Sequence, residues 1–149
     1  MDIGAHLPQL GRGGTRAALM EFCAEAERVG VHSGWVSDHI AWPAEIASKY
    51  PYSEDGSFAP PNDMAWLEPI GTLLFVAGIT ETMRLGQTVL IMGYRPPVQT
   101  AKLIATLDKL SEGRAILGAG IGWREEEFDV LGLPVDHQGV VALVLLPED

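Results

Sequence analysis

The sequence predicts an α/β fold in which successive βα units build a parallel sheet. Four short apolar runs begin near residues 3, 35, 85 and 115, and segments with helical apolar spacing lie between them. The runs are largely apolar rather than strictly alternating, as strands covered on both faces are. With one long loop discounted, the repeat is about 30 residues, one βα unit. At 149 residues the chain falls short of the roughly 250 that a complete (β/α)8 barrel needs, so it supplies about half of one, with four parallel strands. A doubly wound open sheet shares this periodicity and stays open as an alternative at this point.

Taken in order, Ile3 to Leu7 reads as the first strand. Thr15 is placed to cap a helix whose Leu19, Phe22, Cys23, Ala26 and Val29 recur on one face, and Gly30 ends it. Trp35 to Ser37 is the second strand, with Trp35 read as core. A loop from Ile40 to Asp63, rich in Pro, Tyr, Ser and Gly, follows, and loops of that length are most often functional or disordered. Trp66 to Thr80 reads as helix, with Pro69 tolerated in its first turn. Leu85 to Ile91 is the third strand. Pro97 opens a helix through Leu110, capped by Gly113 ahead of the strand Ala115 to Ala119.

A hydrophobic content of 47% marks a globular chain. The formal charge of −10, with ten scattered Lys and Arg, leaves no basic stripe for nucleic acid. The single cysteine, Cys23, cannot form an internal disulfide and reads as a buried small hydrophobe. The longest apolar stretches, Pro69 to Ile79 and Val140 to Leu146, are shorter than the roughly 18 to 20 residues of a membrane helix, so no membrane span is expected. Without a basic-then-apolar leader at its start, the chain is expected in the cytoplasm.

Ser37-Asp38-His39 closes the second strand, so an acid and an imidazole stand where α/β barrels keep their chemistry. They read either as an acid/base or cofactor-gripping pair, or as a loop-capping Asp beside an exposed His. No metal is expected, because His6, His32 and His137 show no ligand spacing with His39. Gly118 to Trp123 follows the fourth strand but lacks the third glycine of a dinucleotide fingerprint, Trp123 standing in its place. Those glycines suit either a tight βα turn or close backbone approach to a flat ring or phosphate. Among Trp35, Trp42, Trp66, Tyr50 and Tyr52, Trp42 is the strongest ligand candidate and is assigned to the substrate side. Glu125 to Glu127 reads as stabilising a helix N-terminus rather than as catalytic.

In sequence order, Ile3-Gly4 with Leu7-Pro8-Gln9, Ser37-Asp38-His39, Leu85 to Leu90, Pro96-Pro97-Val98 through Ala101-Lys102, Leu107 to Arg114 and Gly118 to Trp123 resemble the luciferase-like monooxygenase family, over roughly residues 1 to 134. The resemblance implies the N-terminal half of a TIM barrel and a flavin- or deazaflavin-dependent oxidoreductase or monooxygenase acting on a small molecule. It is nearest the branch that uses coenzyme F420, with FMN as the alternative. It further implies that His39 sits against the ring and transfers protons, that Asp38 bonds the cofactor, and that Ile121, Gly122 and Trp123 line the pocket. Thr88-Val89 would carry a non-proline cis peptide at a bulge in the third strand.

After Leu133-Pro134 the resemblance stops, and Val140 to Leu146 switches to an apolar run, so residues 135 to 149 are expected to be a divergent tail left by truncation or a frame change. A half barrel leaves strand edges unpaired, which invites association with a second copy. A noncatalytic fragment that self-associates through those edges is therefore the alternative expectation.

Overall fold

The computed structural model describes residues 1–43, 45–58, 64–134 and 142–144. The strands are β1 (Gly4–His6), β2 (Ser33–Val36), β3 (Arg84–Gln87), β4 (Leu90–Ile91), β5 (Ala115–Gly120) and β6 (Ala142–Val144). The helices are α1 (Arg16–Arg28), α2 (Pro69–Ala77), α3 (Pro97–Leu110) and α4 (Glu125–Leu131). In the sheet β1 pairs β2, β2 pairs β3, and both β3 and β4 pair β5, all in parallel. With β3 and β4 as successive stretches of one interrupted strand beside β5, the order of these strands advances in one direction, as in a barrel and unlike a doubly wound sheet.

One face of the sheet carries the core. Leu7, Val36, Met83, Leu85 and Ala115 pack with Leu19, Cys23 and Ala26 of α1, Leu73 and Val76 of α2, and Leu107 of α3. The three helices thus cover the same face, as the outer helices of a barrel do. Cys23 is wholly buried, and burial, then Glu27, pushes its thiol up to about 11, which leaves it an unreactive hydrophobe. Trp35 differs from its expected place in that core. Its register partners His6 and Gly86 put it on the opposite face, half-buried. A Cβ at Gly4 or Gly86 would lie 2.6 Å from the Trp35 ring, so glycine at both neighbours makes room for the indole.

The expected helix starts hold. Thr15 Oγ1 accepts from Ala18 N at 3.2 Å, and Pro97 opens α3. Gly30, with φ +79°, follows the end of α1 in a conformation that suits glycine. The expected helix from Trp66 to Thr80 is shorter, because Glu68 caps α2 through Gly71 N and Trp66 forms a bridge with Leu10 instead. The expected strand from Leu85 to Ile91 is divided into β3 and β4. Between them lies the Thr88–Val89 bond, which is cis, where the resemblance placed it.

The expected divergent tail falls largely on 135–141 and 145–149, outside the described residues. The part described, β6, runs antiparallel to β5, with Leu117 opposite Val144.

Candidate functional site

The C-terminal ends of β2, β3, β4 and β5 converge on a cavity of about 470 Å³. Ser37, Asp38 and His39 follow β2, Thr88 and Val89 lie between β3 and β4, and Ile121, Gly122 and Trp123 follow β5; all of them line it. Tyr50, Pro51, Tyr52 and Phe58 from the long loop add an aromatic wall, and Ile91 and Tyr94 complete the lining. Seven of the eight expected site residues therefore meet in one place. The eighth, Trp42, does not line the cavity. It stacks on Trp66 at 4.8 Å and meets the edge of His39 at 5.0 Å, a packing role behind the imidazole.

Each strand-end residue is held by the layer beneath it. Gln9 accepts from Ser37 N at 2.9 Å and donates to the carbonyls of Ser37 and Leu67, both at 2.8 Å, which fixes the exit of β2. At Gly120 a Cβ would overlap Val89, so glycine lets β5 pass the Thr88–Val89 bulge. Gly122 has φ +81°, and a Cβ there would sit 3.1 Å from both Ile91 and Phe128.

Asp38 is 3% exposed. Its carboxylate takes two bonds from Arg95, at 2.7 and 2.8 Å, and one from Ile91 N at 2.8 Å. Burial pushes its carboxyl up from the ordinary value, while Arg95 and the Ile91 amide pull it back. Arg95 also reaches Glu68 at 2.8 Å. The oxygens expected to grip a cofactor are thus already engaged, and Asp38 ties the segment after β2 to the end of β4 and the loop after it.

His39 Nδ1 lies 2.7 Å from Glu127 Oε2, although 88 residues separate them in the chain. A carboxylate only accepts, so Nδ1 carries the hydrogen and Nε2 is the nitrogen left for exchange. The other oxygen of Glu127 accepts from Ile40 N at 2.6 Å and Ala41 N at 3.1 Å. Burial, and after it the charge of Glu127, raises the Tyr94 phenol well above its ordinary value. Beside it, Glu126 accepts from Ala47 N at 2.7 Å and Ser48 N at 2.8 Å. Glu126 and Glu127, read from sequence as helix stabilisers, instead latch the long loop onto α4. A second imidazole stands nearby, with His6 Nε2 3.0 Å from Ser37 Oγ and Nδ1 3.1 Å from the Leu7 carbonyl.

Glu127, Tyr94, Arg95 and Phe58 were absent from the sequence-derived site. The acidic triplet was visible, but its partners lie far away in sequence, and a clustered carboxylate at a helix start is more often a dipole partner. Among the described residues no group of three or more His, Cys, Asp or Glu could hold a metal, and no helix is long and apolar enough to cross a membrane.

Comparison with known proteins adds to this geometry. A match to the luciferase-like monooxygenase family extends over residues 2–142. An uncharacterized protein of Mycobacterium tuberculosis (strain ATCC 25618 / H37Rv) is 33% identical over 134 residues, covering 90% of this chain and 46% of that protein. The coenzyme F420-dependent tetrahydromethanopterin reductase of Methanopyrus kandleri superposes with a TM-score of 0.57 at 27% identity, over 90% of this chain and 30% of that one. The oxygenating constituent of 3,6-diketocamphane monooxygenase from Pseudomonas putida, solved in complex with FMN, gives a TM-score of 0.60 at 18% identity, over 89% of this chain and 32% of that one. The chain spans less than half the length of these proteins.

Proposed function

The chain belongs to the luciferase-like monooxygenase family, and from that premise we propose that its pocket takes the flat ring of a flavin-type cofactor for oxidoreduction of a small-molecule substrate. Coenzyme F420 is the first candidate and FMN the alternative. The observation that carries this reading is the meeting of His39, Thr88, Val89, Ile121, Gly122 and Trp123 around one cavity. Its size falls in the range of small-molecule sites, and apolar and aromatic walls around a few polar groups suit a planar ring system. The presence of an F420-dependent reductase at 27% identity supports F420, and the FMN complex keeps the alternative in view.

The cofactor, when bound, would supply the redox chemistry, and the protein would orient it and exclude water. Val89, Ile121 and Gly122 would support the ring, while Tyr50, Tyr52 and Phe58 cover the opening. His39 would exchange a proton through Nε2, with Glu127 fixing the tautomer and stabilising the cationic ring. Asp38 would act indirectly by holding Arg95 and the end of β4.

Anaerobic mixing with oxidised and reduced F420 and FMN, read by absorbance and fluorescence, tests this. Saturable spectral change is expected with F420, and weaker change with FMN. If neither cofactor produces a change, an activity for this chain has to be given up.

A second reading, a noncatalytic half barrel that self-associates, is favoured by one observation. Among the described residues β1 has a single sheet neighbour, β2, and Gly4 and His6 are exposed along it. Sedimentation at micromolar concentration is expected to show a dimer under this reading, and a folded monomer would dismiss it.

A further inference from the structure

Arg124 is the largest fully buried side chain among the described residues, at 0% exposure. None of its Nε, Nη1 and Nη2 atoms has a hydrogen-bond acceptor among the described residues. Its guanidinium is held by aromatic rings, with Cζ 4.0 Å from the centroid of Trp42, 4.7 Å from Trp123 and 5.2 Å from Phe58. Such cation–π contacts attract the charge but do not satisfy the five N–H groups, which lie in the guanidinium plane. Burying that many donors without acceptors is costly.

Two of the three clamping rings, Trp123 and Phe58, also line the cavity, so one layer of side chains separates the guanidinium from it. Glu126 and Glu127 lie near enough to act on Arg124 electrostatically. Both oxygens of Glu127 are committed to His39, Ile40 and Ala41, and Glu126 Oε1 to Ala47 and Ser48. Glu126 Oε2 is buried without a partner, which makes it the internal competitor for Arg124.

We propose that Arg124 anchors a carboxylate of the substrate at the loop side of the pocket, reached when the Phe58 ring yields. A planar carboxylate matches the guanidinium fork with two parallel bonds. The pocket then selects an acid whose apolar body lies along Tyr50 and Tyr52. This names a substrate class for the activity proposed above and rests on that reading for its meaning, though not for its test.

The test uses the whole chain without cofactor and benzoate as the probe, read by intrinsic fluorescence, because Trp42 and Trp123 flank Arg124. Saturable change is expected with benzoate, with benzamide, its neutral isostere, at least tenfold weaker. Arg124→Met should weaken benzoate by roughly 10- to 100-fold, as loss of a charge-assisted pair does, and Arg124→Lys should fall between. Inorganic phosphate is included as a competitor: failure to displace benzoate assigns the site to carboxylates, and tight phosphate binding overturns that choice. No saturable change with benzoate, equal affinity for benzoate and benzamide, or unchanged benzoate binding in a folded Arg124→Met protein overturns the anchor and leaves Arg124 as the counter-ion of Glu126. Cofactor titrations run in parallel separate the two ideas, since Arg124-dependent benzoate binding without F420 or FMN binding would sink the oxidoreductase reading alone.

Discussion

Replacing Glu127 tests the latch that holds both His39 and the long loop. The buried carboxylate accepts three bonds, from His39 Nδ1 at 2.7 Å, Ile40 N at 2.6 Å and Ala41 N at 3.1 Å. In Glu127→Gln the single amide oxygen can keep the two loop amides, but its NH2 then faces Nδ1. The imidazole must invert its tautomer to accept, and a charge-assisted bond becomes a neutral one, a loss of about 1 kcal/mol. Glu127→Ala abandons all three donors. At roughly 1 kcal/mol or more for each donor left unmatched, with water reaching some of them, a loss of about 3 kcal/mol is expected. Urea unfolding followed by tryptophan fluorescence should rank wild type above Gln above Ala. Lys49 is exposed on the same loop, so tryptic cleavage after it should quicken in the same order. Equal midpoints and equal cleavage rates for wild type and Glu127→Ala would show that the carboxylate holds nothing, and the proposed orientation of His39 would fall with it.

Asp38→Asn keeps one acceptor oxygen but removes the charge and the second oxygen from the buried bidentate pair with Arg95; a loss of about 3 kcal/mol is expected from denaturant midpoints. Gly122→Ala places a Cβ at φ +81° against Ile91 and Phe128; it should cost about 1 to 2 kcal/mol by the same measurement, and an unchanged midpoint would contradict the described turn. Glu126 is raised by burial, but its own backbone amide together with the bonds from Ser48 and Ala47 outweighs this and holds it down at about 2. Because its folded value lies below its unfolded one, its stabilising contribution is present above the ordinary carboxylate value and fades as pH falls from there toward 2. A fluorescence titration over that range should show a loop transition in wild type that is missing in Glu126→Gln.

Much of the fold was legible because its signals are local. The apolar runs and their spacing fix the βα alternation, and Thr15, Pro97 and Gly30 act on their own immediate backbone. The expected third strand lost its continuity because the Thr88–Val89 bulge lies within an apolar run that reads as uninterrupted. Trp35 was assigned to the wrong face because an apolar run with both faces covered does not say which face a given side chain takes. Its place is set by the glycines on neighbouring strands, Gly4 and Gly86, which no local window connects to it.

The same division runs through the site. Because residues that follow strand C-termini gather at the mouth of a βα sheet, the sequence by itself determined that His39 and the stretch from Ile121 to Trp123 would meet there once the strands were placed, whereas Thr88 and Val89, inside an apolar run, were placed there only by the family resemblance. It could not determine what holds them. The Glu127–His39 contact, the Asp38–Arg95 pair and the burial of Arg124 among Trp42, Phe58 and Trp123 join segments from different βα units. Those pairings depend on sheet register and on the path of the loop, which are decided only when the whole sheet packs against its helices and distant side chains compete for the same donors.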